Sequence, residues 1–191
     1  MNKKLSEITL EELWKLFPIL LCEHNNLWKE WYLEEEKEIV NAVGKTNIER
    51  INHIGSTSVE GLVAKPTIDI LLEIKKEADL EQLVKSMEVI GYIYDPQKEK
   101  PAPHMMFMKG YTEEGFAQKV FHVHIRYLGV CDELYFRDYL RVHKDISDLY
   151  GNLKLDLKKE YEHNRDGYTK EKTEFVKKYT DLAKKEFPNR Y

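Results

Sequence analysis

A short stretch of this chain gathers the residue types that handle phosphate: Gly55-Ser56 with the Thr57 hydroxyl beside it, then Lys65, then Asp69 inside an apolar run. Glycine before serine lets the backbone turn tightly and leaves N–H groups, with a hydroxyl next to them, facing an anion. If Thr67 to Ile74 is a strand, alternation puts Ile68, Ile70, Leu72 and Ile74 on one face and Thr67, Asp69, Leu71 and Glu73 on the other. Glu73 thus shares a face with Asp69 but lies near the strand end, where it reads as solvated or as a further acid. His53, just before the turn, reads as a hydrogen-bonded edge histidine or as a site member.

The second loaded segment is Val120 to Leu128. Phe121, Val123, Ile125 and Tyr127 form an apolar face, so His122, His124 and Arg126 project together on the other. Two imidazoles and a guanidinium in a row can read an anion or hold a metal. A His-x-His on a strand can equally be a solvent-facing row.

The spacing of Gly55-Ser56 and Asp69 resembles the nucleotidyltransferase superfamily, whose pattern is Gly-Ser or Gly-Gly, a spacer, then Asp-x-Asp or Asp-x-Glu. Within it, His53-Ile54-Gly55-Ser56-Thr57, Gly61-Leu62, Ala64-Lys65-Pro66 and Ile68-Asp69-Ile70 are similar to the signature of the GrpB family. His122-Val123-His124 and Phe136-Arg137-Asp138-Tyr139-Leu140-Arg141 match the same family, so the resemblance runs from about Trp31 to the final helices. It implies a nucleotidyltransferase-like mixed sheet. By the same resemblance Gly55, Ser56, Thr57 and Lys65 hold the phosphates of a nucleoside triphosphate, while Asp69 with His122 or His124 holds a divalent metal, Mg, Mn or Zn. An unidentified acceptor then attacks the α-phosphate in line, with Asp69 and His124 as the catalytic pair and His53, Glu73 and Arg126 as possible additions. Imidazole in the place of a third carboxylate favours Mn²⁺ or Zn²⁺ over Mg²⁺.

This chain departs from those patterns in two places. Ser58-Val59-Glu60-Gly61 stands where the family usually has Ala-Val-Pro-Gly, and Leu71 stands where the superfamily has its second carboxylate. Leucine cannot ligate a cation, so a two-metal arrangement lacks one expected ligand. That favours a second function, a binding module that kept the phosphate cradle and lost the chemistry. A third, a histidine-dependent phosphoester hydrolase, rests on a His-x-His-x-His likeness in which Arg126 replaces the nucleophilic histidine.

The frame for this chemistry is ordinary. A chain of 191 residues, 42% hydrophobic and 34% charged, buries a full core as a single α+β domain. A net charge of -4 offers no general attraction to nucleic acid or to an anionic membrane. Cys22 and Cys131 lie far apart with no Cys-x-x-Cys spacing. The N-terminus has no long apolar run, and a cytoplasmic location is expected.

The positioning elements are well marked. Residues 1–24 form a lead-in, in which Thr9-Leu10-Glu11-Glu12 is a capping box with Ile8 and Leu13 as its staple. A helix is expected from Asn26 to Val43, buried through Trp28, Tyr32, Ile39 and Val43, with Gly44 as its stop and Glu34-Glu35-Glu36 on a solvated face. Asp79 caps a further helix, Tyr92 to Tyr94 is a brief strand, and Met105–Met108 and Lys119–Leu128 pair around a glycine-containing turn. Residues 132–191 are helical, starting at Asp132, at Asp145 with a Leu149, Leu153, Leu157 stripe, and at Thr169.

Overall fold

The computed structural model describes residues 7–97 and 99–191, so the first six residues of the lead-in lie outside the described part. Its helices are α1 (Leu10–Leu16), α2 (Leu27–Val43), α3 (Leu80–Val89), α4 (Asp132–Val142), α5 (Lys144–Tyr161), α6 (Arg165–Glu171) and α7 (Thr173–Glu186). Its strands are β1 (Ile48–Ile54), β2 (Ile68–Ile74), β3 (Ile93–Pro96), β4 (Met105–Thr112) and β5 (Gly115–Tyr127). The expected capping box opens α1: Thr9 Oγ1 accepts from the Glu12 amide and the Thr9 amide donates to Glu12. Asp79 accepts from the Glu81 and Gln82 amides at the start of α3. Gly44, at φ 85°, ends α2 where an L-residue would be strained.

One five-stranded sheet runs in the order β1-β2-β5-β4-β3, with β2 and β5 parallel and every other pair antiparallel. This is the expected α+β arrangement of a mixed sheet with flanking helices and a helical C-terminal segment. The register sets Asp69 beside His122 and Leu71 beside His124 on β5, and Ile54 of β1 on the other side of Asp69. Ile68, Ile70, Leu72 and Ile74 meet Trp28, Ile39, Leu83 and Met87 in the main core under α2 and α3. Each such side chain stabilises the fold by about 1.5–3 kcal/mol. On the opposite face Leu71 packs with Leu134, Tyr135, Tyr179 and Ala183 of the C-terminal helices.

Several expectations need correction. Glu35 is not on a solvated face: it is buried and accepts from Tyr92 Oη at 2.9 Å and Lys109 Nζ at 2.8 Å, because α2 packs over the β4 end of the sheet. The last two strands form one long hairpin instead of two short segments. Thr112 pairs with Gly115 across Glu113-Glu114, and Gly110, at φ 92°, admits the Lys119 carbonyl where a Cβ would stand 2.3 Å away. The helix expected from Thr169 is two, α6 and α7, with Asn164 capping the first. In α5 the leucine stripe is not the buried one. Leu149 is 52% exposed, while Ser147, Tyr150, Gly151 and Lys154 face inward. Among the described residues no helix is long and apolar enough to cross a membrane.

Candidate functional site

Gly55 ends β1 with φ 69° and ψ -175°, a conformation open in practice only to glycine. The turn it makes runs against β2: a Cβ there would stand 2.5 Å from Asp69 Oδ2. Ser56 begins a single 3₁₀ turn directly above the carboxylate. The glycine therefore serves two ends, the sharp reversal and the close approach of Ser56 to Asp69.

Asp69 forms the floor of a cavity of about 650 Å³, and His122 and His124 line it alongside. His122 Nδ1 lies 3.3 Å and His124 Nε2 3.7 Å from Asp69 Oδ1. Burial opposes ionisation of Asp69, but the hydrogen bonds and charges of the two imidazoles prevail and hold its carboxyl well below the usual range. His122 is pushed down to about 4, chiefly by burial and against the pull of Asp69, so it is neutral at pH 7. Its single N–H must then point at the carboxylate from Nδ1, which leaves Nε2 to accept from the Tyr111 hydroxyl at 2.7 Å. Asp69, His122 and Tyr111 thus form one polarised chain that leads away from the cavity floor.

The cations around this floor come mostly from the C-terminal helices, and sequence reasoning found only one of them. Lys65 was expected. Lys154 of α5, Arg165 of α6 and Lys172 just before α7 also line the cavity, with Tyr150 and Tyr168 between them. Lys154 is buried and donates to Ser56 Oγ at 2.9 Å and to the Val63 carbonyl, which ties α5 to the turn. Among the described residues none of these four cations has an ion-pair partner, although Asp69, Asp95 and Asp166 also line the cavity. Burial first, then the charge of Arg165, lowers Lys65 to about 7 against the opposing pull of Asp69; burial and the charge of Lys172 lower Lys154 to about 7. Lys172 falls to about 8 by burial, offset in part by Asp69 and reinforced by Arg165. Asp69, Asp95 and Asp166 offset this charge across the cavity without forming an ion pair with any of the four among the described residues.

The remaining expected residues lie elsewhere. Thr57 is buried with its hydroxyl between the Thr67 carbonyl, at 3.1 Å, and His53 Nε2, at 3.0 Å, so it braces the turn. His53 shares a sheet face with Ile70, not with Asp69, and stacks on Tyr32. Glu73 is not solvated: it is fully buried, paired with Arg50 and accepting from the Gly129 amide at 3.1 Å. Arg126 is buried and spends its guanidinium on the Met105 and Ile125 carbonyls, outside the cavity.

The donor set does not fit the two-metal arrangement. Leu71 is wholly buried among apolar side chains, and both His122 nitrogens are engaged. Among the described residues no three His, Cys, Asp or Glu side chains are grouped to hold a cation. What the arrangement can do is bind an anion of high charge close to one ionised carboxylate. Behind the turn a smaller chamber of about 380 Å³ shares Gly55, Ser56, Asp69, His124 and Tyr150, and is walled by Ile54, Phe136, Leu140 and Val176.

Residues 18–182 match the family model described as GrpB protein. A UPF0157 protein of Pseudomonas aeruginosa is 38% identical over 78% of this chain, and UPF0157 protein YqkA of Bacillus subtilis 33% identical over 85%. The chain spans only 61% and 46% of those two proteins. The crystal structure of conserved protein GrpB from Enterococcus faecalis superimposes with a TM-score of 0.76 at 30% identity, covering 88% of this chain and 99% of that one.

Proposed function

This chain belongs to the GrpB family, and we propose that its cavity over Asp69 binds the polyphosphate of a nucleoside triphosphate. The observation that carries this reading is the convergence of Lys65, Lys154, Arg165 and Lys172, unmatched by ion pairs among the described residues, on the Ser56 turn. Holding four such cations half-desolvated next to one another is costly, and an oxyanion of several charges removes the cost. The adjoining chamber with its apolar wall has the size and character to take a nucleoside, which favours a nucleotide over inorganic polyphosphate.

Nucleotidyl transfer is the second reading, favoured by the close approach of the Gly55-Ser56 turn to Asp69, which the mixed sheet sets level with His122. In that reading an acceptor hydroxyl or amine forms a bond to the α-phosphorus, the bond to the β-phosphate oxygen breaks, and pyrophosphate leaves into the lysine cluster while the acceptor's proton passes to Asp69 or His124. The donors present do not make the two-metal site.

Thermal denaturation with ATP, pyrophosphate, phosphate and AMP, each with and without Mg²⁺, Mn²⁺ or Zn²⁺, tests the first reading. A ligand at one hundred times its Kd adds about 2.7 kcal/mol of apparent stability, which for a chain of this length raises Tm by roughly 5–10 °C. ATP and pyrophosphate should give this shift, AMP much less, and Lys154→Met should abolish it. No shift with any triphosphate would overturn the reading. Pyrophosphate release with a panel of acceptors separates transfer from binding alone.

A further inference from the structure

The chamber behind the Ser56 turn has a polar end as well as an apolar wall. Beyond Ser56, Asp69 and His124, which it shares with the cationic cavity, its lining passes to α4 and α7, where Asp132, Glu133, Arg137 and Thr180 are the polar residues. Arg137 is committed, donating to Asp138, the His53 carbonyl and Tyr191. Asp132 is paired with Lys184 at 2.7 Å and is largely in solvent. Glu133 differs from both. Its one ion-pair contact among the described residues is Arg126 Nη2, 3.9 Å away and beyond hydrogen-bond reach, while Arg126 Nη1 is spent on the Met105 and Ile125 carbonyls. The Glu133 side chain is 35% exposed, so both of its oxygens are open to a donor. Thr180, buried on α7, adds a hydroxyl to the same lining.

Glu133 lies in the first turn of α4 and stands over Arg126, four residues along β5 from His122, the residue level with Asp69. Four residues of strand cover about 13 Å. A triphosphate seated among the lysines, with its α-phosphate at the Ser56 turn, therefore directs its nucleoside along the chamber toward Glu133, between the apolar walls of Ile54, Phe136, Leu140 and Val176. A carboxylate offers two parallel acceptors, and guanine is the base whose edge carries two adjacent donors, N1–H and the 2-amino group. Adenine turns the lone pair of N1 toward the same oxygens, and cytosine and uracil present one donor beside an acceptor. Resting on the polyphosphate reading, we propose that the nucleotide this chain binds is a guanine nucleotide and that Glu133 selects it by accepting from N1–H and the 2-amino group.

The test is calorimetric titration of the full chain with GTP, ITP, ATP and pyrophosphate, each with Mg²⁺, and with guanosine and adenosine alone. GTP should bind about 100-fold more tightly than ATP, the difference between two charge-assisted hydrogen bonds made and a lone pair facing a carboxylate. ITP, which lacks only the 2-amino group, should fall between them. Glu133→Gln keeps the shape of the side chain and leaves one acceptor, so it should bring GTP to within about threefold of ATP while pyrophosphate binds as before. A urea midpoint equal to the parent's shows that the variant is folded. Equal binding of GTP and ATP by the parent, or a GTP preference that survives Glu133→Gln, overturns the proposal, and if pyrophosphate still binds the polyphosphate reading stands. The nucleosides probe the chamber without the lysines. Guanosine should bind the parent more tightly than adenosine does, and lose that advantage in Glu133→Gln, even where pyrophosphate fails to bind; guanosine that binds no better than adenosine overturns the proposal.

Discussion

Gly55→Ala tests the geometry on which the site depends. The substitution meets two separate penalties. The backbone at φ 69° and ψ -175° lies where an L-residue is strained, at about 1–3 kcal/mol. The new methyl would also stand 2.5 Å from Asp69 Oδ2, 3.1 Å from its Cγ and 3.0 Å from its Cβ, an overlap worth about 1–3 kcal/mol. The sum centres near ~4 kcal/mol, a fall in Tm of roughly 8–16 °C for a chain of this length. A double-mutant cycle with Asp69→Ala divides the two penalties. Alanine at position 69 removes the carboxyl but keeps the Cβ at 3.0 Å, so most of the overlap is relieved while the strain remains. Urea denaturation of the four proteins should show a favourable coupling of about 1–3 kcal/mol between the two substitutions. A Gly55→Ala protein as stable as the parent, or a cycle with no coupling, would refute the close approach of turn to carboxylate.

Stability should rise with pH between about 7 and 10 in low salt, since Lys65 and Lys154 sit near 7 when folded and near the ordinary 10.5 when unfolded. The unfolded chain therefore binds more protons across that window, and raising pH favours the folded state. Lys154→Met should flatten the rise in urea midpoint, and pyrophosphate, which favours the charged lysines, should stabilise the protein most at the low-pH end. Arg50→Leu should cost about 3–5 kcal/mol in urea unfolding, because fully buried Glu73 then keeps only the Gly129 amide; replacing Glu73 with leucine as well should restore most of it. If nucleotidyl transfer occurs, Asp69→Asn should abolish pyrophosphate release while pyrophosphate binding, measured by calorimetry, falls less, because the cations remain.

What was legible in the sequence was local. Alternation along β2 and β5 placed Asp69, His122 and His124 on one face, and the register of two parallel strands then had only to bring them level. Thr9, Asp79 and Gly44 announced helix ends because capping is chemistry between near neighbours. What failed was long-range. Arg50 and Lys109 lie 23 and 74 positions from the acids they pair with, so Glu73 and Glu35 read as solvent-facing although each is buried with its cation.

The same limit hid most of the site. In α5 the leucines at 149, 153 and 157 look like the inward stripe, and a reading by hydrophobic period follows them. The helix instead turns Ser147, Tyr150, Gly151 and Lys154 inward, with Leu149 half in solvent. Hydrophobic periodicity finds a core, and this helix also closes a cavity, where polar side chains are the correct lining. Three of the four cations that make the cavity anion-seeking, Lys154 and Arg165 on helices and Lys172 at the α6–α7 junction, lie beyond residue 143, separated in sequence from the turn they serve. Where an amphipathic pattern and the buried face disagree, the inward polar residues mark the place to look for a ligand.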